Sequence, residues 1–343
     1  MSTTELDIEQ PDQLRAYLEQ TGRITPGEPL EVQTLAGGIS NRTVLVRRSA
    51  GEAWVLKQAL AKLRVAVDWF SDPARIQREA LGIRWLSQLA PQGAVPPLVF
   101  EDPAHHLLAM AAVPQPHDNW KSLLLAGRLE EDHVAQFARL LGQVHRSAAE
   151  SRESLASVFD DRRFFQTLRI EPYYEYTASQ VPEAAPFLNR LIEQTLDRRL
   201  TLVHGDYSPK NILIHQGRLV LLDHEVIHWG DPAFDLGFSL AHLLSKARHL
   251  RQHRAAFVRA ANHYWLIYRE TLGDPPWASS LEGHAVAHAL GCLLARVAGR
   301  SQLEYLGPQH KCRQRNAVTH LMGDPPDTVA GLTQGWVREL SSD

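Results

Sequence analysis

Thr201-Leu-Val-His204-Gly205-Asp206-Tyr-Ser-Pro-Lys210-Asn211-Ile-Leu-Ile-His215-Gln-Gly217-Arg218-Leu-Val-Leu-Leu222-Asp223-His-Glu225-Val-Ile-His228-Trp229-Gly-Asp-Pro-Ala-Phe-Asp235 is the stretch on which the reading of this chain turns. His204, Asp206 and Asn211 fit the spacing H-x-D-x-x-x-x-N, a catalytic loop in which the aspartate accepts a hydroxyl proton and the asparagine holds magnesium. Ile212 to His215 and Arg218 to Leu222 are short apolar runs around Gln216-Gly217, a two-residue hairpin turn in which glycine supplies the positive φ. Counting outward from that turn pairs His215 with Arg218 and Asn211 with Leu222. Asn211 and Asp223 therefore emerge together at the open end, where one magnesium ion can touch both. Aspartate and asparagine are also ordinary turn residues, but four polar anchors at this spacing on one end of an apolar hairpin make a decorative role improbable.

Upstream, Leu30 to Leu35, Thr43 to Arg48 and Ala53 to Gln58 read as three short antiparallel strands, after a helix over about residues 8 to 20. Between the first two strands lies Gly37-Gly38-Ile39-Ser40-Asn41. Adjacent glycines let backbone N–H groups approach an anion, so Gly37, Gly38, Ser40 and Asn41 are candidate phosphate contacts. The same glycines would also suit a plain hairpin turn. Lys57 sits in an apolar strand, where a charge needs a partner or a ligand. Glu79 falls in a helical pattern from Ala74 to Leu89, and a strand lysine paired with a helix glutamate is how the α and β phosphates of ATP are held in phosphoryl transfer.

Val95 to Glu101 and Leu107 to Ala112 complete a five-stranded sheet, and Pro114-Gln115-Pro116 marks a linker. Beyond it the chain reads as mainly helical, over Glu130 to His145, Glu183 to Arg198, Phe234 to Leu250, Ala255 to Leu272, Leu281 to Gly299 and Lys311 to Leu321. Phe159 to Tyr176 is aromatic and suits either core or substrate wall. The expected fold is α+β and two-lobed, with a small antiparallel-sheet lobe over 1–112 and a larger helical lobe over 113–343.

The 343 residues are 44% hydrophobic and 22% charged, with a formal net charge of −3. That balance offers no basic footprint for nucleic acid and no polybasic patch for a membrane surface. Cys292 and Cys312 alone suggest neither a disulfide framework nor a cysteine metal site. Met1 to Gln10 lacks the basic and apolar parts of a signal peptide. Ala285 to Ala298 is too short and too charged to span a bilayer. The expectation is a cytoplasmic protein acting on a small molecule, with a homodimer left open.

These residues resemble the aminoglycoside phosphotransferase and choline kinase superfamily, a protein-kinase-like fold that phosphorylates small-molecule hydroxyls. Leu202 to Leu213 and Asp231-Pro-Ala-Phe-Asp235 carry the likeness most specifically. A closer similarity to the methylthioribose kinase branch lies in Leu56 to Leu60 with Arg64-Val65 and Trp69, in Asp223-x-Glu225, and in Gly291-Cys292 with Arg296 and Gly299. The resemblance implies ATP and Mg2+ as cofactors, with Asp206 as catalytic base, Asn211 and Asp223 on the metal, and Lys57 on the nucleotide phosphates. Glu225 falls where such kinases keep a second carboxylate. His204 and Asp235 are the candidate braces of the catalytic loop, and Arg296 and Trp229 the candidate acceptor contacts. Two departures bear on the acceptor. The loop ends Tyr-Ser-Pro-Lys-Asn, and Ala295 stands where the first of two sugar-gripping arginines is expected. A sugar-like or amino-alcohol acceptor is the leading expectation, with an aminoglycoside as the alternative.

Three rival readings are weaker. His224-Glu225-Val226-Ile227-His228 satisfies the H-E-x-x-H zinc pattern, but β-forming residues lead in and Gly-Asp-Pro follows within a turn, so the required helix is not expected. A non-catalytic kinase-fold binding protein would have lost an anchor, whereas Lys57, Asp206, Asn211 and Asp223 are all present. A protein kinase would carry Asp-Phe-Gly and Ala-Pro-Glu landmarks, and this chain has neither.

Overall fold

The computed structural model describes residues 6–35, 38, 40–49, 51–64 and 69–341. Gly37, Ile39 and Val65 lie outside them. Five antiparallel strands, β1 (Leu30–Thr34), β2 (Asn41–Arg48), β3 (Ala53–Ala59), β4 (Leu98–Asp102) and β5 (Leu107–Ala111), form one sheet in the order β1-β2-β3-β5-β4. The two-residue alternation of side chains decides what each face meets. Trp54 and Leu56 of β3, with Leu107 and Ala109 of β5, pack toward α1 (Pro11–Gln20) and its Leu14 and Leu18. Leu108 and Met110 join the other core with Ile76, Ala80 and Ile83 of α2 (Arg75–Leu89). Val55 and Lys57, on the face of β3 opposite Trp54, line a cleft.

A sixth strand, β6 (His117–Asn119), follows the proline-marked turn, and the helical lobe begins with α3 (Trp120–Leu125) and α4 (Glu131–Glu150). One-turn α5 (Arg152–Leu155) precedes a continuous coil in which α6 (Arg163–Phe165) and α7 (Tyr176–Gln180) flank a wider π-type stretch, Gln166–Glu175. Pro172 lies inside that stretch and has no N–H to donate, a local reason for the departure from α geometry. After α8 (Ala185–Asp197) come β7 (Thr201–Val203), the hairpin β8 (Ile212–His215) and β9 (Arg218–Leu221), and β10 (His228–Gly230). The hairpin has the expected register: His215 faces Arg218, and Leu222 N–H donates to Asn211 O at 2.9 Å. Gln216 and Gly217 have φ of 50° and 74°, as a primed turn requires.

The last helices are α9 (Ala233–His249), α10 (Arg254–Leu272), α11 (Leu281–Ala298), α12 (Pro308–Gly323) and α13 (Val329–Ser341). α9 is buried along nearly its whole length against α10 and α11, with Asp235, His242, Lys246 and Arg248 among its buried residues. Its N-terminus delivers Asp235 to the catalytic loop. α3 and α13 were not expected from periodicity. β7 and β10 pair antiparallel across the 24 residues between Val203 and His228, a contact with no local signal.

Candidate active site

Asp235 is fully buried and accepts the backbone N–H of His204 at 2.7 Å and of Gly205 at 2.8 Å. His145 of α4 approaches it at 3.3 Å and meets Tyr268 at 2.8 Å. Burial opposes ionisation of Asp235, but His145 and these backbone donors outweigh it and hold the carboxyl below its usual range. The loop is thus tied to two helices of the lower lobe. Gly205 adopts φ +76° with Val226 so close that a Cβ would lie 2.9 Å from its Cγ2, so glycine is required there on both counts. His204 Nδ1 accepts the N–H of Asp206 at 3.2 Å, which leaves its Nε2–H to donate to His224 Nδ1 at 3.1 Å. Burial depresses both imidazoles, in keeping with this neutral arrangement.

The Asp206 carboxylate accepts Asn211 Nδ2 at 2.8 Å, and Arg169 lies 3.0 Å from the same oxygen. Arg169 belongs to the π-type stretch, is buried, and also donates to Gly205 O at 2.7 Å. Burial works against its charge, but Asp206 together with Tyr173, Glu225 and Asp223 outweighs it and raises its pKa. Arg169 was not picked out from the sequence. An arginine beside apolar residues on a helix reads as one covering the surface with its stem.

On the other side of the cleft, Lys57 Nζ contacts Glu79 at 2.6 Å and Asp223 at 2.8 Å. Burial disfavours the ammonium, yet the two carboxylates outweigh it, so Lys57 stays charged. Burial first, and then the neighbouring Asp223 and Glu225, push Glu79 up to about 7 despite Lys57. Asp223 is held low, because Lys57 and Lys210 overcome its burial. It has φ of 70°, in the left-handed region where a non-glycine residue is strained, a feature that clusters at functional sites. Glu79 does not line the cleft and reaches it only through Lys57.

One helical turn before Glu79, Arg75 is fully buried and grips Glu225 at 3.1 Å. It also donates to Leu60 O at 2.8 Å, to Ser71 O and Asp72 O at 3.2 Å each, and to Ser40 O. Asn41 Nδ2 bonds Ser40 Oγ at 3.1 Å and Glu225 at 3.4 Å. The i, i+4 pair Arg75 and Glu79 therefore fixes Glu225 and Lys57 from one face of α2. Gly82, a turn further on, lies against the same segment, and a Cβ there would sit 2.9 Å from His224 Cβ.

Two cavities meet at these residues. The interlobe cleft, about 670 Å³, is walled by Val55, Met110, Ala112, Leu213 and Leu222, with Gly38, Asn41, Lys57 and Asn211 at its polar end. A second cavity in the helical lobe is lined by Arg169, Tyr173, Asp206, His242, Arg296 and Ser301, among others. Ser40, Lys210 and Asp223 line both. The oxygen chemistry at the junction suits a hard divalent cation. Asn211 uses its amide N–H groups on Asp206 and keeps its side-chain carbonyl available. Carboxylate oxygens of Glu79, Asp223 and Glu225 lie within 4.8 Å of one another.

Trp229 corrects the sequence expectation. It is 1% exposed, sits on β10 opposite Leu202 of β7, and lines neither cavity. Its large apolar ring is consumed in packing, and β-pairing turns the chain inward where a loop was expected. The H-E-x-x-H residues share no helix: His228 is on β10 and directs Nδ1 to Val226 O at 2.9 Å, His224 meets His204, and Glu225 meets Arg75. Arg296 does line the second cavity, with Nη1 donating to Tyr173 Oη at 3.0 Å and Ser301 Oγ at 2.8 Å.

A two-lobed α+β fold with polar anchors at the lobe junction is that of the protein-kinase-like phosphotransferases. The chain belongs to the phosphotransferase enzyme family, whose profile matches residues 31–278. Methylthioribose kinase of Yersinia enterocolitica is 27% identical to it over 263 residues, 66% of this chain and 63% of that protein. That of Pectobacterium atrosepticum is 25% identical over 262 residues, again 66% and 63%. The match thus spans less than two thirds of the length of these curated relatives. Among solved structures, an amicoumacin kinase in complex with AMP-PNP, Ca2+ and Ami superposes with a TM-score of 0.59 at 14% identity, covering 95% of this chain and 99% of the other. A choline/ethanolamine kinase family protein from Mesorhizobium loti gives 0.56 at 16% identity, over 97% and 99%. Among the described residues no helix is long and apolar enough to cross a membrane.

Proposed function

We propose that this protein transfers the γ-phosphoryl group of ATP to a hydroxyl of a small, sugar-like acceptor. The observation that carries the proposal is the junction itself: Asp206 faces the helical-lobe cavity, while Lys57 and Asn211 face the interlobe cleft, and Asp223 borders both. ATP fits the cleft, its adenosine against the apolar walls and its phosphates toward Lys57, Ser40 and Gly38. Asp206 accepts the acceptor's hydroxyl proton, and Asn211 and Arg169 hold that carboxylate in place. Asn211 and Asp223 would hold Mg2+, which supplies charge neutralisation on the phosphates. The remaining contribution is positioning in line, the dominant one in phosphoryl transfer.

A methylthioribose-like sugar is the leading single acceptor, supported by the similarity to methylthioribose kinases and by Arg296, a donor group suited to vicinal hydroxyls. A polycationic aminoglycoside would require carboxylates along the acceptor wall. The wall's carboxylates, Asp206, Asp223 and Glu225, are already paired with Arg169, Lys57 and Arg75, and its other charges are the cations Lys121, Lys210 and Arg296. The test is ATP consumption by wild type and Arg296→Ala against sugars, amino alcohols and kanamycin. Sugar turnover impaired by the substitution supports the assignment. Efficient kanamycin turnover, or sugar turnover indifferent to Arg296, rules it out.

A further inference from the structure

The helical-lobe cavity is electrically lopsided. Its three acids, Asp206, Asp223 and Glu225, all sit at the catalytic end, and each is already matched by a buried cation: Arg169, Lys57 and Arg75. The far wall offers Lys121 from α3 and Arg296 from α11, beside His242 and Ser301. Behind it, Lys246 of α9 is fully buried, with Nζ 3.3 Å from His242 O and 5.7 Å from the Tyr305 ring centroid. Among the described residues, the carboxylate paired with these cations is Glu304 on Lys121, and its side chain is 63% exposed. Arg296 donates through Nη1 to Ser301 and Tyr173, while its Nε is buried without a partner.

Three cations around one buried wall, one of them matched by a solvated carboxylate, are stable only if something neutralises them or one gives up its proton. We infer that the wall bearing Lys121 and Arg296 is an anion subsite, in which these two side chains receive a carboxylate or phosphate carried by the acceptor and Lys246, behind the wall, adds its field. This rests on the kinase reading and replaces its neutral methylthioribose-like acceptor with an anionic polyol, its reacting hydroxyl at Asp206 and its charge at Lys121 and Arg296. The unpaired guanidinium edge of Arg296 suits a two-oxygen anion. Lys246 contributes by field through His242, within a low-dielectric wall.

Lys246 also supplies a signature. Burial, followed by Lys121 and Arg296, lowers its pKa to about 7 against the opposing pull of Glu304. Of the groups facing it, Lys121 and Arg296 are cationic, Glu304 is anionic, His242 is driven neutral by burial and by these same cations, His249 is lowered by burial and by His310 and Lys246, and Tyr305 is held protonated by its burial. A bound anion restores the charge, so binding at about pH 8 draws a proton from solvent.

Calorimetric titration of the full chain with D-ribose, D-ribonate and D-ribose 5-phosphate, alongside ADP formation from ATP, tests this. At least one anionic member binds about tenfold or more tightly than ribose, with net proton uptake measured in two buffers of different ionisation enthalpy. Lys246→Met removes the proton uptake, and both it and Lys121→Gln shrink the anionic-to-neutral ratio several-fold. Preference for ribonate identifies a hydroxy acid, and preference for ribose 5-phosphate a phosphorylated sugar. Equal binding of all three, no binding at all, or a ratio unchanged in both variants overturns the anion subsite. Anion-selective binding without ADP formation leaves the subsite standing and removes the kinase reading. ADP formation that is indifferent to the anion does the reverse.

Discussion

The two ends of the acceptor cavity solve the same electrostatic problem in opposite ways. At the catalytic end each carboxylate lining the cavity touches a cation, Asp206 with Arg169, Glu225 with Arg75 and Asp223 with Lys57, which Glu79 shares, at 2.8 to 3.1 Å for these three pairs. At the far end Lys121, Arg296 and Lys246 crowd together with one solvated carboxylate between them. Matched pairs give a rigid, pre-set constellation that need not reorganise when chemistry begins. An unmatched surplus gives a region whose charge state is completed by what enters. The difference separates machinery from recognition within a single cavity.

The sharpest way to break this division is at its matched end. Asp206→Asn keeps the hydrogen-bonding shape but removes the proton acceptor. Turnover is expected to fall by about 10²–10⁴-fold, with nucleotide affinity, followed by fluorescence titration of an ATP analogue, changing little. Near-wild-type turnover would remove Asp206 from the reaction. Arg75→Leu leaves Glu225 buried without its cation and strips donors from Ser40, Leu60, Ser71 and Asp72. A loss of about 3–5 kcal/mol in denaturant unfolding is expected, and a loss below about 1 kcal/mol would mean the pairing is not what stabilises that end.

The unmatched end should respond with the opposite sign. Replacing Lys246 by Met is expected to stabilise the apo protein by about 1–4 kcal/mol near neutral pH. The native pKa of about 7 lies below the ordinary lysine value, so between the two the unfolded chain binds more protons and wild-type stability rises with pH. The advantage of the variant is therefore largest below pH 7 and fades as the pH climbs toward the ordinary lysine value. Thermal unfolding across that range checks it, and destabilisation by the substitution would show that the His242 and Tyr305 contacts of Lys246 outweigh the cost of its burial. The mildest change is Lys210→Ala. Lys210 is exposed and borders both cavities, so only a few-fold rise in KM for ATP is expected, screened further by salt. A hundredfold effect would merge the two regions into one.

What could be read from the sequence follows the reach of each signal. The hairpin from Asn211 to Asp223 is local, and alternation and a two-residue turn suffice to place its ends. Lys57 declared itself by sitting charged in an apolar strand, a conflict that the fold resolves with Glu79 and Asp223. Arg75 and Arg169 gave no such conflict, since a helical arginine is equally at home in solvent, and only the packing of α2 and the π-type coil turns them inward. Trp229 misled because its burial depends on the pairing of β10 with β7, a non-local contact. The departure at Ala295 is legible as a missing arginine, but the cations that gather around Arg296 come from α3 and α9, well apart in the chain.

The contact at Gly82 has a mechanical side. α2 enters the chain as part of the sheet lobe, yet a hydrogen at Gly82 is all that separates its backbone from His224, and Arg75 bolts its first turn to Glu225. In protein kinases the position of the corresponding helix is a control point, because swinging it outward breaks the lysine–glutamate pair. Here that swing would have to uncouple a buried ion pair and a close-packed backbone together. The helix is thereby tied to both lobes, since Arg75 also bonds Ser40 O and Leu60 O and Glu79 holds Lys57 of β3. On the proposed reading, that joint is a fixed point of the molecule and not a control point.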